Sequence, residues 1–398
     1  MKELNTYSNF KKNVSYINIT RKSKKKQPRT LISLFSGAGG FDIGAEMAGI
    51  KTLACVEIDV DCRETLRYNR PEWKLFEDDT NRLPGDIRKI SPDELLEFVG
   101  KKPGEVDYLI GGAPCQPFSN MGKKLGKDDP DNGDLFLEFV KMVKGIKPKA
   151  FVFENVSGIV HSKHSDVVRY MYDHLGNLGY GLSSTILNAA DYGVPQKRER
   201  FFLIGIKGVK KPVFPLPTHF KNEKSWNIFL QDLTPTPVDY MPKKWISVEE
   251  AFRKIPQDVH LRPDFALMNI SDIVKERMTY ISPGENFKVL PMELRPNCWK
   301  NGKHQGHDTF GRIRPDEPAP TIRTAAYNPS KGRYIHPVEN RGLSTIEMAV
   351  LQTFPDSWVF KCKNRNNVTL VSAGRQIGNA VPPLLSKAIF DALHLQLK

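Results

Sequence analysis

Cys115 lies in Gly112-Ala113-Pro114-Cys115-Gln116-Pro117, directly after the apolar run Val106–Ile110 and the pair Gly111-Gly112. The flanking prolines keep it out of helix and sheet and stiffen the turn around it. A lone cysteine reads by type as a small buried hydrophobe; its place on a loop at the end of an apolar strand reads instead as a nucleophile. A thiol at its ordinary pKa is mostly protonated at neutral pH, so it needs cationic surroundings or proton removal coupled to attack. Arg198 and Arg200 alternate in Gln196-Lys197-Arg198-Glu199-Arg200 and would face one way in an extended segment, although such a run also suits a solvated surface. Glu154 closes the apolar run Ala150–Phe153. As a surface carboxylate it would do little; buried, its pKa would rise and it would hold or donate a proton near neutrality.

A second constellation is suited to a cofactor. Leu31-Ile32-Ser33-Leu34-Phe35 leads into Ser36-Gly37-Ala38-Gly39-Gly40-Phe41-Asp42, which reads as strand, glycine turn and helix. Glycines let backbone approach a ligand closely, and the exposed N–H groups of a helix start favour an anionic group. Glu57 ends the next apolar run, 20 residues after Gly37, where a carboxylate holds ribose hydroxyls. A dinucleotide fingerprint would have a third glycine where Asp42 stands, so S-adenosylmethionine fits better than NAD. Asp86, in Gly85-Asp86-Ile87, is placed to accept from an adenine amino group. A plain structural bend remains the alternative for the turn.

These groups need a scaffold that brings strand ends together. Further apolar runs at Thr52–Val56, Val106–Ile110, Ala150–Phe153 and Phe201–Ile206 alternate with helix-compatible segments such as Asp134–Lys144 and Asp166–Asn177. That alternation predicts an α/β fold with a doubly wound, mostly parallel sheet, whose ligands bind at the carboxyl ends of its strands. Four segments are expected: a basic, disordered arm over 1–28, a catalytic and cofactor-binding domain over 29–207, a smaller loop-rich domain over 208–309 and a return segment over 310–398. The third holds eleven prolines and few periodic stretches. In the fourth, Leu343–Phe354 is regular again, and Pro382-Pro383 opens a helix with Leu384, Leu385, Ala388, Ile389, Ala392 and Leu393 on one face.

Composition narrows the partners. The net charge of +14 favours a polyanion, and residues 1–30 carry +8 of it, with nine Lys or Arg against Glu3. Such an arm is either a solvated tail or a salt-sensitive phosphate contact. Five cysteines at scattered spacings suggest neither a disulfide framework nor a metal site. No apolar run has the length of a membrane span, and a cytoplasmic protein is expected.

One reaction uses the whole inventory. Carbon 5 of cytosine is too weak a nucleophile to attack a sulfonium methyl group. Thiolate addition at carbon 6, with a proton or hydrogen bond at N3 and cationic donors at O2, turns the ring into an enamine that can. In order and spacing the motifs resemble the cytosine-C5 DNA methyltransferase family from Leu31 to Ala388. Phe35–Phe41 resembles its cofactor loop, Gly112–Ser119 its nucleophile loop, Phe153-Glu154-Asn155-Val156 its acid motif and Gln196–Arg200 its Q-x-R-x-R motif. Arg312 with Pro318-Ala319-Pro320-Thr321-Ile322, and Gln376–Pro383, resemble the last two.

The resemblance implies the Rossmann-like S-adenosylmethionine-dependent methyltransferase fold, with residues 208–309 as target-recognition domain and the target cytosine flipped out of the duplex. It makes Cys115, Glu154, Arg198 and Arg200 catalytic. The cofactor would be held by Phe35, Ser36, Gly37, Ala38, Gly39, Gly40, Phe41, Glu57, Ile58, Asp86, Ile87, Pro114, Leu135, Asn379 and Ala380, with no metal. Gln116, Ser119, Lys123, Lys124, Gln196 and Arg312 would meet double-stranded DNA, the lysines from a mobile loop over Ser119–Gly133. The family often has Arg-Gly before the Leu-Phe ending that loop, whereas this chain has Asn132-Gly133-Asp134-Leu135-Phe136. A monomeric bacterial or phage modification enzyme, functionally paired with a restriction endonuclease, is the expectation. An RNA cytosine methyltransferase of similar construction is the alternative, and a catalytically silent DNA-binding protein or another nucleotide-cofactor enzyme is a third.

Overall fold

A computed structural model of the protein describes residues 16–17, 28–77, 84–113, 135–160, 165–231, 240–300, 306 and 308–397. Seven strands form the central sheet: β1 (Thr30–Leu34), β2 (Lys51–Val56), β3 (Lys74–Leu75), β4 (Tyr108–Gly111), β5 (Ala150–Val156), β6 (Tyr180–Asn188) and β7 (Glu199–Lys207). Their order is β3-β2-β1-β4-β5-β7-β6. The first five are mutually parallel, while β7 runs antiparallel to both β5 and β6. The predicted mostly parallel sheet is present, with one reversal. Strand β6 escapes sequence reading because Ser183, Ser184 and Thr185 interrupt any apolar run.

Period-two alternation explains why both faces are covered. On one face Ile32, Leu34, Val56, Leu109, Phe151, Phe153 and Leu203 pack against helices α3 (Pro92–Val99), α4 (Leu135–Ile146) and α5 (Ser165–Gly176). On the other, Leu31, Tyr108, Ile110, Val152, Phe202 and Ile204 meet helix α1 (Gly40–Met47) and the C-terminal helix α8 (Pro383–Gln396), the latter through Leu385, Ile389, Phe390 and Leu393. The proline-led helix thus returns to the first domain, as its apolar face predicts. Helix α2 (Val60–Asn69) is capped by Asp59, whose side chain accepts from the N–H groups of Asp61 and Cys62. Helix α6 (Thr345–Leu351) starts in a capping box of Ser344 and Glu347, and α7 (Leu370–Asn379) follows it.

The segment after Lys207 has short helices, 3-10 turns and two-residue strands, in keeping with its proline content. Met278, Ile281, Phe287, Leu290 and Trp299 form a small core there, which continues through Phe310 and Ile335. Packing therefore crosses the expected boundary at 309. Within the segment expected to be a disordered arm, Tyr16–Ile17 pairs in parallel with Phe214–Pro215, and the Tyr16 ring meets Phe229 edge-on at 5.6 Å. Among the described residues no helix is long and apolar enough to cross a membrane.

Candidate active site

The carboxyl ends of β1, β2, β4 and β5 open into one cavity of about 430 Å³. One wall is the glycine turn. Phe35, Gly37 and Gly39 have φ of 54°, 54° and 82°, and the Gly39 conformation starts α1. A Cβ on Gly40 would sit 2.5 Å from the carbonyl oxygen of Val381, so only glycine lets the turn close against the chain after α7. Glu57 is 8% exposed, and its carboxylate accepts the N–H groups of Gly37 (2.6 Å) and Asp59 (2.7 Å). Burial raises its pKa although these two bonds oppose the rise. Ile58 beside it is 48% exposed, an apolar surface at the rim.

The opposite wall carries the acid and one arginine. Glu154 is buried on β5, and Arg200 Nε on neighbouring β7 lies 3.2 Å from its Oε1. The antiparallel register, in which Glu154 faces Phe202 and Val156 faces Arg200, brings them together. Burial raises the Glu154 pKa, and the charges of Arg200 and Arg198 pull it back only in part. Gly112 leaves room for this acid, since a Cβ there would be 3.0 Å from Glu154 Oε2. Asn155 Nδ2 donates to the carbonyl of Ala113 at 3.1 Å. Ala113 lines the cavity two residues before the cysteine. Pro114, Cys115, Gln116, Ser119, Lys123 and Lys124, and the loop over Ser119–Gly133, lie outside the described residues.

Arg198 lines the same cavity with a different function. It is 1% exposed; its Nη1 donates to Ile322 O at 3.1 Å, and its Nη2 to Gly378 O at 2.8 Å and Ala380 O at 2.9 Å. Burial, then Arg200, push its pKa well down. Gln352 Nε2 donates to Ile377 O and Ala380 O, so the carbonyls left open at the end of α7 are satisfied by two side chains. Asn379 and Ala380 thereby reach the cavity wall.

Several expected positions do not reach the cavity. Gln196 is fully buried, with Nε2 donating to Leu351 O and Gln352 Oε1 and its Oε1 accepting from Ile322 N–H, so it binds protein where a DNA contact was expected. Arg312, the other expected DNA contact, is 5% exposed and donates to Ile281 O, His336 O, Glu339 O, Met278 O and Asn340 Oδ1, so its donors hold the fold. Asp86, Ile87 and Leu135 are absent from the lining. Ile87 packs in the core, and the Asp86 carboxylate is gripped by Arg88 Nε at 2.9 Å and Nη2 at 2.8 Å, which holds its pKa below the usual carboxylate range. Ala38 and Gly39 underlie the turn instead of lining it.

Asp59, Cys62 and Arg375 also line the cavity and were unread in the sequence, while Asn155, Val156, Gln376, Gly378 and Val381 line it from within recognised motifs that had given them no site role. Arg375 Nη2 reaches Asp59 Oδ2 at 2.9 Å across the rim. The N-cap spacing of Asp59 was legible, but Arg375 comes from a helix more than 300 residues later.

The cavity thus combines a glycine turn, a buried carboxylate beside it, a second buried acid with an arginine, and the chain leading to a cysteine. Residues 29–394 match the family model for C-5 cytosine-specific DNA methylase. The chain is 33% identical over 371 residues to the Type II methyltransferase M1.HphI of Haemophilus parahaemolyticus, covering 92% of this chain and 86% of that one. It is 34% identical to the Type II methyltransferase M.Sau96I of Staphylococcus aureus, covering 93% and 76%. The crystal structure of a putative DNA modification methyltransferase from an Escherichia coli prophage shares the fold, with a TM-score of 0.64, 24% identity and 93% and 99% coverage. The chain is a member of the C-5 cytosine-specific DNA methylase family.

Proposed function

We propose that the protein transfers a methyl group from S-adenosylmethionine to carbon 5 of a flipped-out cytosine in duplex DNA, through a covalent bond from Cys115 to carbon 6. The observation that carries this reading is the buried Glu154–Arg200 pair in the same cavity as the glycine turn and Ala113. The cavity fits the cofactor: Gly37 faces open space where a ligand can approach the backbone, Glu57 is a buried carboxylate for ribose hydroxyls, and Ile58 offers an apolar face for a base. The turn, Glu57, Ile58, Asn379 and Ala380 would hold it. When bound, it supplies an electrophilic methyl group on a sulfonium.

The chain's residues do the rest. The Cys115 thiolate adds to carbon 6, forming the sulfur–carbon bond as the ring electrons shift toward carbon 5. Glu154, whose pKa burial raises, gives N3 a proton or hydrogen bond, and Arg200 donates to O2. Carbon 5 then takes the methyl group. Loss of the carbon-5 proton to a solvent base, departure of the Cys115 sulfur as thiolate and return of the N3 proton to Glu154 restore the aromatic ring. Arg198 positions this wall and the end of α7. Asn155 fixes the chain entering the cysteine loop through Ala113.

M1.HphI and M.Sau96I are named Type II methyltransferases, which supports a modification role beside a restriction endonuclease recognising the same site. A monomer acting on DNA in the bacterial cytoplasm fits that setting. The segment over 208–309 would read the target through the grooves. The test is Cys115→Ala: it should bind S-adenosylmethionine normally yet transfer no methyl group to duplex DNA, and normal turnover in that variant would sink the mechanism. Expression in a host free of cytosine methylation, with genome-wide mapping of methylated positions, names the target. Equal activity on RNA would remove the DNA assignment.

A further inference from the structure

Part of the protein's excess charge gathers at the sheet edge opposite the cavity. Residues 101–107, 144–149 and 207–211 hold eight lysines against Glu105 and Asp107, a net +6. With the +8 of residues 1–30 this accounts for the whole +14, so the remainder of the chain is neutral in sum. The three segments are far apart in sequence and laced together in space. Gly104 N–H donates to Ile146 O at 2.9 Å, Lys149 N–H to Val106 O at 3.1 Å and Lys207 N–H to Lys149 O at 3.0 Å. Lys207 Nζ reaches Lys147 O at 3.1 Å.

They meet at the amino ends of β4 and β5, where antiparallel β7 finishes. This is the sheet edge opposite the cavity: Glu154 lies five residues beyond Lys149 along β5, about 16 Å at the usual rise. Lys102, Lys144, Lys147, Lys149, Lys207, Lys210 and Lys211 are exposed. Lys149 pairs with Asp107 at 2.7 Å. None of the large apolar side chains exposed elsewhere lies in these segments, and a membrane-binding face would need them. Lysines at this density suit regularly spaced phosphates.

We propose that this edge is a second surface for duplex DNA, holding a duplex other than the one whose cytosine is in the site. A duplex has a persistence length of about 50 nm, so the segment engaged at the carboxyl edge cannot turn back within the width of one protein. Two duplexes held at once let the enzyme pass from one to the other without a free intermediate. The inference rests on duplex DNA being the substrate and is independent of the roles given to Cys115, Glu154 and Arg200.

The test uses the full chain bound to a short fluorescent duplex containing its target site and chased with unlabelled non-target duplex. Wild type should release the label at a rate that rises with chase concentration. In K144Q/K147Q/K207Q/K210Q/K211Q that rate should be independent of the chase, while single-turnover methylation of the short duplex stays within about twofold of wild type. The corresponding Lys→Arg protein should keep the chase dependence. The second-duplex step should also lose about 0.9 in its logarithmic salt slope for each phosphate contact removed. Should the quintuple variant fail to fold, K210Q/K211Q alone should lower the chase dependence at least twofold. A wild-type release rate that ignores the chase, a glutamine variant that folds and behaves as wild type, or an equal loss in the arginine protein would overturn the proposal. So would displacement by anionic vesicles with no effect of duplex. Failure of methylation in every protein would instead count against the reading of the active site.

Discussion

Arg200 Nε on β7 stands 3.2 Å from Glu154 Oε1 on β5, and both side chains are largely withdrawn from solvent. The pair exists because β7 runs antiparallel to β5, which puts the start of one strand beside the end of the other. Burial favours the protonated acid and the arginine charge favours the carboxylate; burial prevails, so the acid keeps its proton to higher pH than a free glutamate.

For Glu154→Gln, methyl transfer should slow by about 10²- to 10⁴-fold, the usual range for general acid–base help. Affinity for S-adenosylmethionine should stay nearly intact. The proton on Glu154 is lost as pH rises through its raised pKa, so the wild-type rate should fall on the alkaline side. The glutamine variant, which has no such proton to lose, should lack that limb. Single-turnover rates across pH, beside calorimetric cofactor binding, check both statements.

Arg198 and Arg200 should separate into different phenotypes. Arg200→Ala should fold with a small stability change, lose activity and move the alkaline limb still higher, because the cation that lowers the Glu154 pKa is gone. Arg198→Ala strips donors from the carbonyls of Ile322, Gly378 and Ala380 and should cost on the order of 3 kcal/mol or more. Denaturant unfolding of the two variants, compared with their pH–rate profiles, distinguishes them. Equal destabilisation by both would refute the division.

Gln352→Leu removes the amide that holds Ile377 O and Ala380 O and leaves the Gln196 amide short of an acceptor. The expected cost is roughly 2 kcal/mol, with KM for S-adenosylmethionine raised more than kcat is lowered, since Asn379 and Ala380 lose their anchor. The double variant Gln196→Leu/Gln352→Leu should be less destabilised than the two singles combined, because partners in one network are not additive. Additive losses would show that the two amides act independently.

Asp42 occupies the position that distinguishes this turn from a dinucleotide fingerprint, and it is fully buried beneath it. Its carboxyl accepts from Ser33 Oγ at 3.1 Å and lies 3.8 Å from Cys55 Sγ, and burial pushes its pKa up to about 7. The folded-state pKa exceeds the unfolded one, so the stability tied to this proton is full below about pH 4 and lost as pH rises through about 7. The rise from 3.8 to about 7 corresponds to about 4 kcal/mol. Asp42→Asn should flatten the fall in stability across that window, measured by urea unfolding at fixed pH values. An unchanged pH dependence would refute the assignment.

Much of the site was legible because its signals are local. Glycines at Gly37, Gly39 and Gly40 after an apolar strand are a turn whatever surrounds them, and Glu57 and Glu154 end apolar runs whose length and composition mark strands. The proline-led apolar face of α8 had to find a core. Those features follow from backbone sterics and from the periodicity with which side chains alternate or turn.

Tertiary structure decided which polar groups are spent on the fold. Arg198 and Arg200 sit two residues apart with the same charge, yet Arg198 bonds carbonyls 124 and 180 residues away while Arg200 meets Glu154. Gln196 is buried by partners 126 to 156 residues away and Arg312 by partners 24 to 34 residues away, while Asp86 is held by Arg88 two residues on. The reversal of β7 makes the Glu154–Arg200 contact, and nothing in an apolar run states its direction. A side chain's chemistry is written in its residue type, but its free valence depends on neighbours that only long-range packing brings to it.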